Sequence, residues 1–118
     1  MDPRRMDIWF ARLPAYGESR VIQGSRPVII VSNDRNNKYS GTVTVVPMTG
    51  KLKRLDIPSH VAIDESTALT DQVMTIDRDA LMKKIGKCDK EEVAQALRSH
   101  LGLNEEDISE RKDTGNAE

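Results

Sequence analysis

Short β-branched runs separated by turn residues constrain the fold of this chain more than any other sequence feature. Residues 27–32 (PVIIVS) form an apolar run that is typical of a strand buried on both faces. Residues 42–49 (TVTVVPMT) alternate threonine and valine, which predicts a strand with one face in a core. Pro47 cannot donate to a β-ladder, so it predicts an edge or a bulge near the end of this strand. Further strands are predicted at residues 7–13, 59–63, 68–75 and 84–88, with a polar turn at 33–41 and a helical turn at 77–81.

A single amphipathic helix is predicted after these strands. Asp89 is expected to cap this helix, and Glu92 three residues later completes a capping box. Apolar residues then recur at helical spacing, before Gly102 ends the helix; they are Val93, Ala96, Leu97 and Leu101. Five or six short strands followed by one helix predict a small antiparallel barrel or a curled sheet with the helix packed on it.

The length and the cysteine content exclude several other classes of protein. The 118 residues fit one domain that can bury enough surface to fold without disulfides or a metal. One cysteine, Cys88, excludes an internal disulfide and a zinc site built on paired cysteines, and the acidic residues show no metal-binding spacing. No apolar run reaches the ~18 residues of a membrane span, and the first residues, MDPRRM, lack the apolar core of a signal peptide. We therefore expect a cytoplasmic protein without membrane contact.

The net charge of −1 hides an uneven distribution along the chain. Residues 1–54 hold 10 basic and 4 acidic side chains, residues 55–103 hold 6 and 9, and residues 104–118 hold 2 and 6. A basic front and an acidic end can mark a polyanion-binding face, or they can reflect ordinary solvated charges. The last segment is nearly devoid of apolar residues, so we expect a folded domain at 1–103 and a disordered acidic tail at 104–118.

General catalytic motifs are nearly absent, but one arginine is unusual. His60 falls in a predicted strand and His100 late in the predicted helix, where structural and solvated roles are the ordinary ones. Arg26 lies between a long loop, residues 14–25, and the apolar strand. A guanidinium in that position is costly to desolvate unless it meets a negative charge, either an internal carboxylate or an external anion.

Five segments of the chain resemble the MazF/PemK-type toxins of bacterial toxin–antitoxin pairs, in family order and over about residues 4–103. They are residues 5–13 (RMDIWFARL), 24–34 (GSRPVIIVSND), 45–49 (VVPMT), 58–61 (PSHV) and 71–77 (DQVMTID). Each segment alone is a weak signal, and all five together are a strong one.

The resemblance implies a fold and an activity. The fold is a small SH3-like antiparallel β-barrel of the CcdB/PemK-like type with a C-terminal amphipathic helix. The activity is that of a metal-independent, sequence-specific endoribonuclease, which cuts single-stranded mRNA and leaves 2′,3′-cyclic phosphate and 5′-hydroxyl ends. Such toxins need no cofactor, form homodimers through the sheet face, and are neutralised by a cognate antitoxin.

The resemblance also assigns roles to residues of this chain. The catalytic arginine and threonine of the family fall on Arg26 and Thr49. RNA-binding positions are expected in the long loop, after Thr49 and in the DQV segment: they are Ser19, Arg20, Lys51, Lys53, Arg54 and Gln72. Tyr16 is the expected stacking residue, because single-stranded RNA commonly stacks on aromatic side chains.

The sequence departs from the family pattern at two places. Met6 stands where the family usually has glycine, and the loop at residues 17–23 is longer and rearranged, so the resemblance carries over no RNA sequence preference.

Two other functions are alternatives to the ribonuclease. CcdB-type toxins share the fold family and poison DNA gyrase without catalysis, but they rely on an aromatic helix end, and this chain has no aromatic residue after Tyr39. The other alternative is a catalytically impaired member that only binds an antitoxin.

Overall fold

Seven strands and two α-helices form the part of the chain that the structure, a computed structural model, describes, residues 2–104. The strands are β1 (Asp7–Leu13), β2 (Gly24–Ile30), β3 (Thr42–Thr49), β4 (His60–Ile63), β5 (Ser66–Leu69), β6 (Met74–Asp77) and β7 (Leu81–Lys87). The helices are α1 (Asp34–Tyr39) and α2 (Glu91–His100), and short 3₁₀ turns span Thr70–Gln72 and Arg78–Ala80. Within the range that the structure covers, no helix is long and apolar enough to cross a membrane.

All strand pairings are antiparallel, and β3 lies at their centre. The strand order is β4-β5-β3-β2-β1-β7, and β6 also pairs with β3. The prediction of a mainly antiparallel β fold with a C-terminal helix is therefore confirmed. No pairing between residues 2 and 104 joins β4 to β7, so the sheet is open and the expected closed barrel is not confirmed.

Pro47 lies inside β3, where this strand changes partners. The first half of β3 pairs with β6 through Thr42–Val45, and its end pairs with β5 through Met48 and Thr49. Pro47 falls between these two segments and stands opposite Val28 of β2. The expected edge or bulge is thus a change of neighbouring strand.

Alternating residues of the central strands divide into two apolar layers. Val28 and Ile30 belong to one layer together with Trp9, while Ile29 and Val31 belong to the other. Val93 of α2 packs into the second layer. The run at residues 27–32 is therefore covered on both faces, as its uninterrupted apolar character predicts.

Several predicted boundaries are wrong because local hydrogen bonds compete with the sequence patterns. The expected polar turn at 33–41 contains α1, whose first turn is capped by the Asn33 side chain accepting from the Asn36 amide at 2.8 Å. Helix α2 begins at Glu91 after Lys90 and has no side-chain cap, so the Asp89 capping box is not formed. The predicted strand at 68–75 is interrupted by the turn Thr70–Gln72.

The remaining strands are confirmed with shifted ends. Strand β2 begins at Gly24 and β7 begins at Leu81, both three residues earlier than predicted. The expected tail at 104–118 lies outside the described residues except for residue 104.

The backbone at Met6 connects the start of β1 to two other segments. The Met6 amide donates to the Ile30 carbonyl at 2.6 Å, and the Cys88 amide donates to the Met6 carbonyl at 2.8 Å. Met6 adopts φ +71°, in the left-handed region that favours glycine, and its half-buried side chain packs against the second apolar layer. The residue that departs from the family pattern therefore occupies a position with glycine-like backbone geometry.

Candidate active site

Arg26 lies beside the end of β3, where Thr49 is the last residue. Val28 of β2 stands opposite Pro47 of β3, and the β2–β3 ladder ends at this pair. Beyond the ladder, the Arg26 Nη1 donates to the carbonyl of Met48, the residue before Thr49, at 3.4 Å. The guanidinium therefore contacts the backbone next to Thr49 at this end of the sheet.

The Arg26 guanidinium is half-buried and bonded to backbone carbonyl groups. Its Nε and Nη2 donate to the Gln23 carbonyl at 2.9 and 2.7 Å, and its Nη1 donates to the Met48 carbonyl at 3.4 Å. No carboxylate in the described part of the chain lies within 4.0 Å of it, so these residues do not form the internal ion pair that was the alternative. These bonds use three of the five N–H groups of an arginine and leave one on each terminal nitrogen.

Thr49 ends β3 beside this guanidinium. It is half-buried and stands opposite Thr67 of β5. The Thr49 hydroxyl makes no hydrogen bond to any described residue, so it is available to a ligand.

The loop after Thr49 is held by two buried polar side chains. The Thr67 hydroxyl donates to the Lys51 carbonyl at 2.8 Å and accepts from the Lys53 amide at 3.0 Å. The His60 Nδ1 lies 2.9 Å from the Lys53 carbonyl oxygen, and its Nε2 lies 3.7 Å from an oxygen of Asp71. These contacts are consistent with a structural role for His60, and Thr67 is a supporting residue that no sequence motif marks.

The three cations of this loop differ in their partners. Lys51 and Lys53 are exposed, and no carboxylate among residues 2–104 pairs with either. Arg54 forms a two-pronged ion pair with Asp56, with both N–O distances at 3.1 Å. Hydrogen bonding to Arg54 lowers the pKa of Asp56 below its ordinary value, so this pair stays ionised near neutrality. The two lysines are consequently the better candidates for phosphate binding.

The long loop, residues 14–23, is bonded to itself and to the Thr70–Gln72 turn. The Ser19 hydroxyl accepts from the Val21 amide at 3.0 Å, and Arg20 is exposed. The Gln72 side chain accepts from the Ile22 amide at 2.6 Å and donates to the Arg20 carbonyl at 3.3 Å. Ser19 and Gln72, both predicted to bind RNA, thus bond to the loop backbone in this structure.

Two other features lie apart from Arg26. A groove of about 580 Å³ runs between α2 and the segment before β4, and Leu55, Pro58 and Ala96 are among its lining residues. None of the predicted site residues lines this groove. Cys88 is buried, and this burial raises the pKa of its thiol, which disfavours the reactive thiolate.

The arrangement around Arg26 suits an oxyanion. A guanidinium with free N–H groups on both terminal nitrogens can donate two parallel hydrogen bonds to a phosphate. A neighbouring hydroxyl can add a third donor, and exposed lysines can attract further phosphates of a chain. Fixed donors of this kind stabilise negative charge that develops during a reaction.

Comparisons with known proteins give one family and several similar folds. A family model described as the PemK-like, MazF-like toxin of type II toxin–antitoxin systems matches residues 4–101. An endoribonuclease solved in complex with its cognate antitoxin from a mycobacterial species is 26% identical, with a TM-score of 0.72 over 86% of this chain and 97% of that one. MazF from Deinococcus radiodurans is 20% identical, with a TM-score of 0.76 over 86% and 98% of the two chains. The Mycobacterium tuberculosis toxin MazF-mt6 is 22% identical, with a TM-score of 0.67 over 83% and 98%.

Proposed function

This chain belongs to the PemK-like, MazF-like toxins of type II toxin–antitoxin systems, and from this premise we propose that it is a metal-independent endoribonuclease acting on single-stranded RNA. The observation that carries the proposal is the Arg26 guanidinium beside the end of β3, next to Thr49, bonded to carbonyl groups and to no described carboxylate. The solved endoribonuclease with 26% identity supports the same class of activity.

In the proposed reaction, a ribose 2′-hydroxyl attacks the adjacent phosphorus atom. The new O2′–P bond closes a 2′,3′-cyclic phosphate, and the P–O5′ bond breaks. The 2′-hydroxyl loses its proton and the departing O5′ gains one, so the products are a cyclic phosphate end and a 5′-hydroxyl end. Negative charge on the non-bridging oxygens increases on the way, and this charge is what the protein has to stabilise.

Arg26 and Thr49 have distinct roles in this step. The two free N–H groups of Arg26 bind the non-bridging oxygens as their charge grows, and the Thr49 hydroxyl donates to the same phosphate. An arginine stays protonated near neutrality, so Arg26 supplies charge and alignment and is a poor proton acceptor. Without a strong base in the reaction, we expect a slow enzyme.

RNA binding is assigned to the surroundings of Arg26. Lys51, Lys53 and Arg20 contribute phosphate contacts, so affinity falls steeply as salt rises. Arg54, Ser19 and Gln72 belong to the same proposed surface, although each already bonds within the protein. We further propose a homodimer in the cytoplasm that a cognate antitoxin neutralises. The mycobacterial endoribonuclease solved in complex with its cognate antitoxin supports the antitoxin partner.

The test is cleavage of a labelled single-stranded RNA by the purified protein in EDTA, with the fragment ends mapped chemically. We expect 2′,3′-cyclic phosphate and 5′-hydroxyl ends, and a loss of about 10²-fold or more in rate for Arg26→Ala. Arg35→Ala is the matched control, because Arg35 is exposed on α1. Uncut RNA, or cutting that survives Arg26→Ala, contradicts the proposal; inhibition of DNA gyrase without RNA cleavage would select the CcdB-like alternative.

A further inference from the structure

Gln72 is anchored on the body of the protein and reaches into the long loop. It ends the turn Thr70–Gln72, which is fixed to Ser59 because the Thr70 amide and hydroxyl both donate to the Ser59 carbonyl, at 3.0 and 2.7 Å. From this position the Gln72 amide accepts from Ile22 and donates to Arg20. The oxygen and the nitrogen of the Gln72 side-chain amide thus both bond the loop backbone.

Gln23 follows Ile22 in the loop, and both its side chain and its backbone carbonyl form hydrogen bonds. Its side chain accepts from the Tyr16 amide at 2.8 Å and donates to the Gly17 carbonyl at 2.7 Å, which closes the first half of the loop. Its backbone carbonyl accepts from the Nε and the Nη2 of Arg26. One residue therefore connects the loop conformation to the orientation of the guanidinium.

Gly24 permits this connection. It adopts φ +89°, in the left-handed region, and so turns the chain between the Gln23 carbonyl and the Arg26 side chain. A Cβ at this position would lie 3.9 Å from the Arg26 Nη2, so the requirement for glycine comes from the backbone conformation and not from crowding.

We propose that Gln72 and Gln23 are positioning residues for Arg26. Gln72 fixes the backbone at residues 20–22, this fixes the Gln23 carbonyl, and the carbonyl fixes the guanidinium so that its remaining N–H groups face the phosphate. The catalytic part of the inference rests on the proposed ribonuclease function. It gives Gln72 a different role from base reading, because its amide oxygen and nitrogen each already bond the loop backbone.

The first measurement needs no RNA. In ¹⁵N-labelled protein, Gln72→Ala should raise the hydrogen-exchange rates of the Ile22 amide and of the Arg26 Nε–H by about tenfold or more. The Ile22 amide loses its acceptor, and the Gln23 carbonyl that accepts from the Arg26 Nε–H is no longer held in place. Gln95→Ala is the matched control, because Gln95 is exposed on α2, and it should change neither rate. Unchanged exchange at Arg26 in a folded Gln72→Ala variant would overturn the proposal.

Gln72→Glu is a second variant in case the alanine variant does not fold. It keeps an acceptor for the Ile22 amide, loses the donor to the Arg20 carbonyl and places a carboxylate oxygen against that carbonyl. We expect the Ile22 amide to exchange about as slowly as in the unaltered protein. The exchange rate of the Arg26 Nε–H should lie between those of the unaltered protein and of Gln72→Ala. Full loss of Ile22 protection in this variant would contradict the assigned hydrogen bond.

The second measurement is kinetic. Gln72→Ala should lower kcat about tenfold with little change in KM, because a misoriented guanidinium loses stabilisation that it gives only in the transition state. A higher KM or a changed base preference with kcat intact would overturn the positioning role in favour of base reading. If the unaltered protein cuts no RNA, the ribonuclease proposal fails, while the exchange measurements still decide whether Gln72 supports the position of Arg26.

Discussion

The two ends of the sheet differ in how many of their cations are paired with carboxylates. Where β1 begins, three cationic side chains have carboxylate partners within the chain: Arg4 with Asp34, Lys84 with Asp7, and Arg78 with Asp2. Where β2 begins and β3 ends, Arg54 pairs with Asp56, but Arg26 bonds only carbonyl groups, and Lys51 and Lys53 have no carboxylate partner among residues 2–104.

This difference separates charges that serve the fold from charges that are available to a ligand. At the first end, the carboxylates neutralise positive charge and fix the chain before β1. At the second end, positive charge stays uncompensated beside a free hydroxyl, which favours an external anion. The net charge of −1 is a sum over the whole chain, so it does not show this difference between the two ends.

The largest expected effect comes from Arg26→Lys, which keeps the charge and removes the fork. A lysine ammonium cannot hold the Gln23 carbonyl and a phosphate with the same fixed geometry, so we expect RNA cleavage to fall about 10²-fold. Arg4→Lys changes the same residue type at the other end and should leave cleavage unchanged. Equal activities of the two variants in a single-turnover assay would remove the distinction between the ends.

The next effect concerns stability at the first end. Asp7 is 1% exposed, and the Lys84 ammonium lies 3.4 Å from its Oδ1, an atom that has no hydrogen-bond partner among the described residues. Lys84→Met leaves this carboxylate uncompensated and should lower the free energy of unfolding by about 2 kcal/mol, less than for a fully buried pair because Lys84 is partly solvated.

Lys83→Met, on the same strand and exposed, is the control for that measurement by urea denaturation. Adding Asp7→Asn to Lys84→Met should recover part of the loss, since it removes the uncompensated charge. Identical unfolding midpoints for the two methionine variants would show that Asp7 does not depend on Lys84.

A smaller effect is expected at the second end from Thr67→Val. Removing the hydroxyl that bonds Lys51 and Lys53 should cost about 1 kcal/mol of stability and also slow RNA cleavage, since the loop after Thr49 is freed. Thr75→Val, exposed on β6, should be nearly neutral in both assays. A loss of stability without any slowing of cleavage would show that the Thr67 hydrogen bonds stabilise the loop without affecting RNA cleavage.

The smallest effect is a dependence of stability on pH at Asp34. The Arg5 amide, which donates to Asp34 at 2.6 Å, is the main cause that holds the pKa of this carboxyl below its ordinary value of 3.8. A lowered pKa in the folded state stabilises the fold above the ordinary value, and this contribution is lost as pH falls through the lowered one. Unfolding of the unaltered protein and of Asp34→Asn should therefore differ most near neutrality and converge below about pH 4. A difference that stays constant with pH would argue against this hydrogen bond as the cause of the lowered pKa.

Sequence patterns predicted the parts of the molecule that depend on apolar periodicity. The run at residues 27–32 is buried on both faces, and Val93 packs where the helical spacing puts it. The motif around Arg26 indicated a candidate site, and in the fold the Arg26 guanidinium bonds the Met48 carbonyl, next to Thr49. Their roles in catalysis remain predictions for the RNA experiments.

The supporting contacts were not predictable because they join polar residues far apart in the chain. Thr67 bonds residues 14 to 16 positions earlier, and Gln72 bonds a residue 50 positions earlier. Asn37 shows the same limit: it reads as a turn residue, yet it is fully buried in α1 and hydrogen-bonded to Ser32. Amide and hydroxyl groups carry no periodic signal, so their partners follow only from the folded geometry.

The shared position of β3 has a consequence for folding during synthesis. β2 is made before β3 and can pair with it at once, but the opposite edge of β3 stays unpaired until β5 and β6 leave the ribosome. An open strand edge in a nascent chain is a template for wrong pairing with other chains. Pro47 removes one backbone donor from the middle of this strand, at the place where its later partners change. We therefore expect Pro47 to make this open edge a poorer template for wrong strand pairing in the incomplete chain.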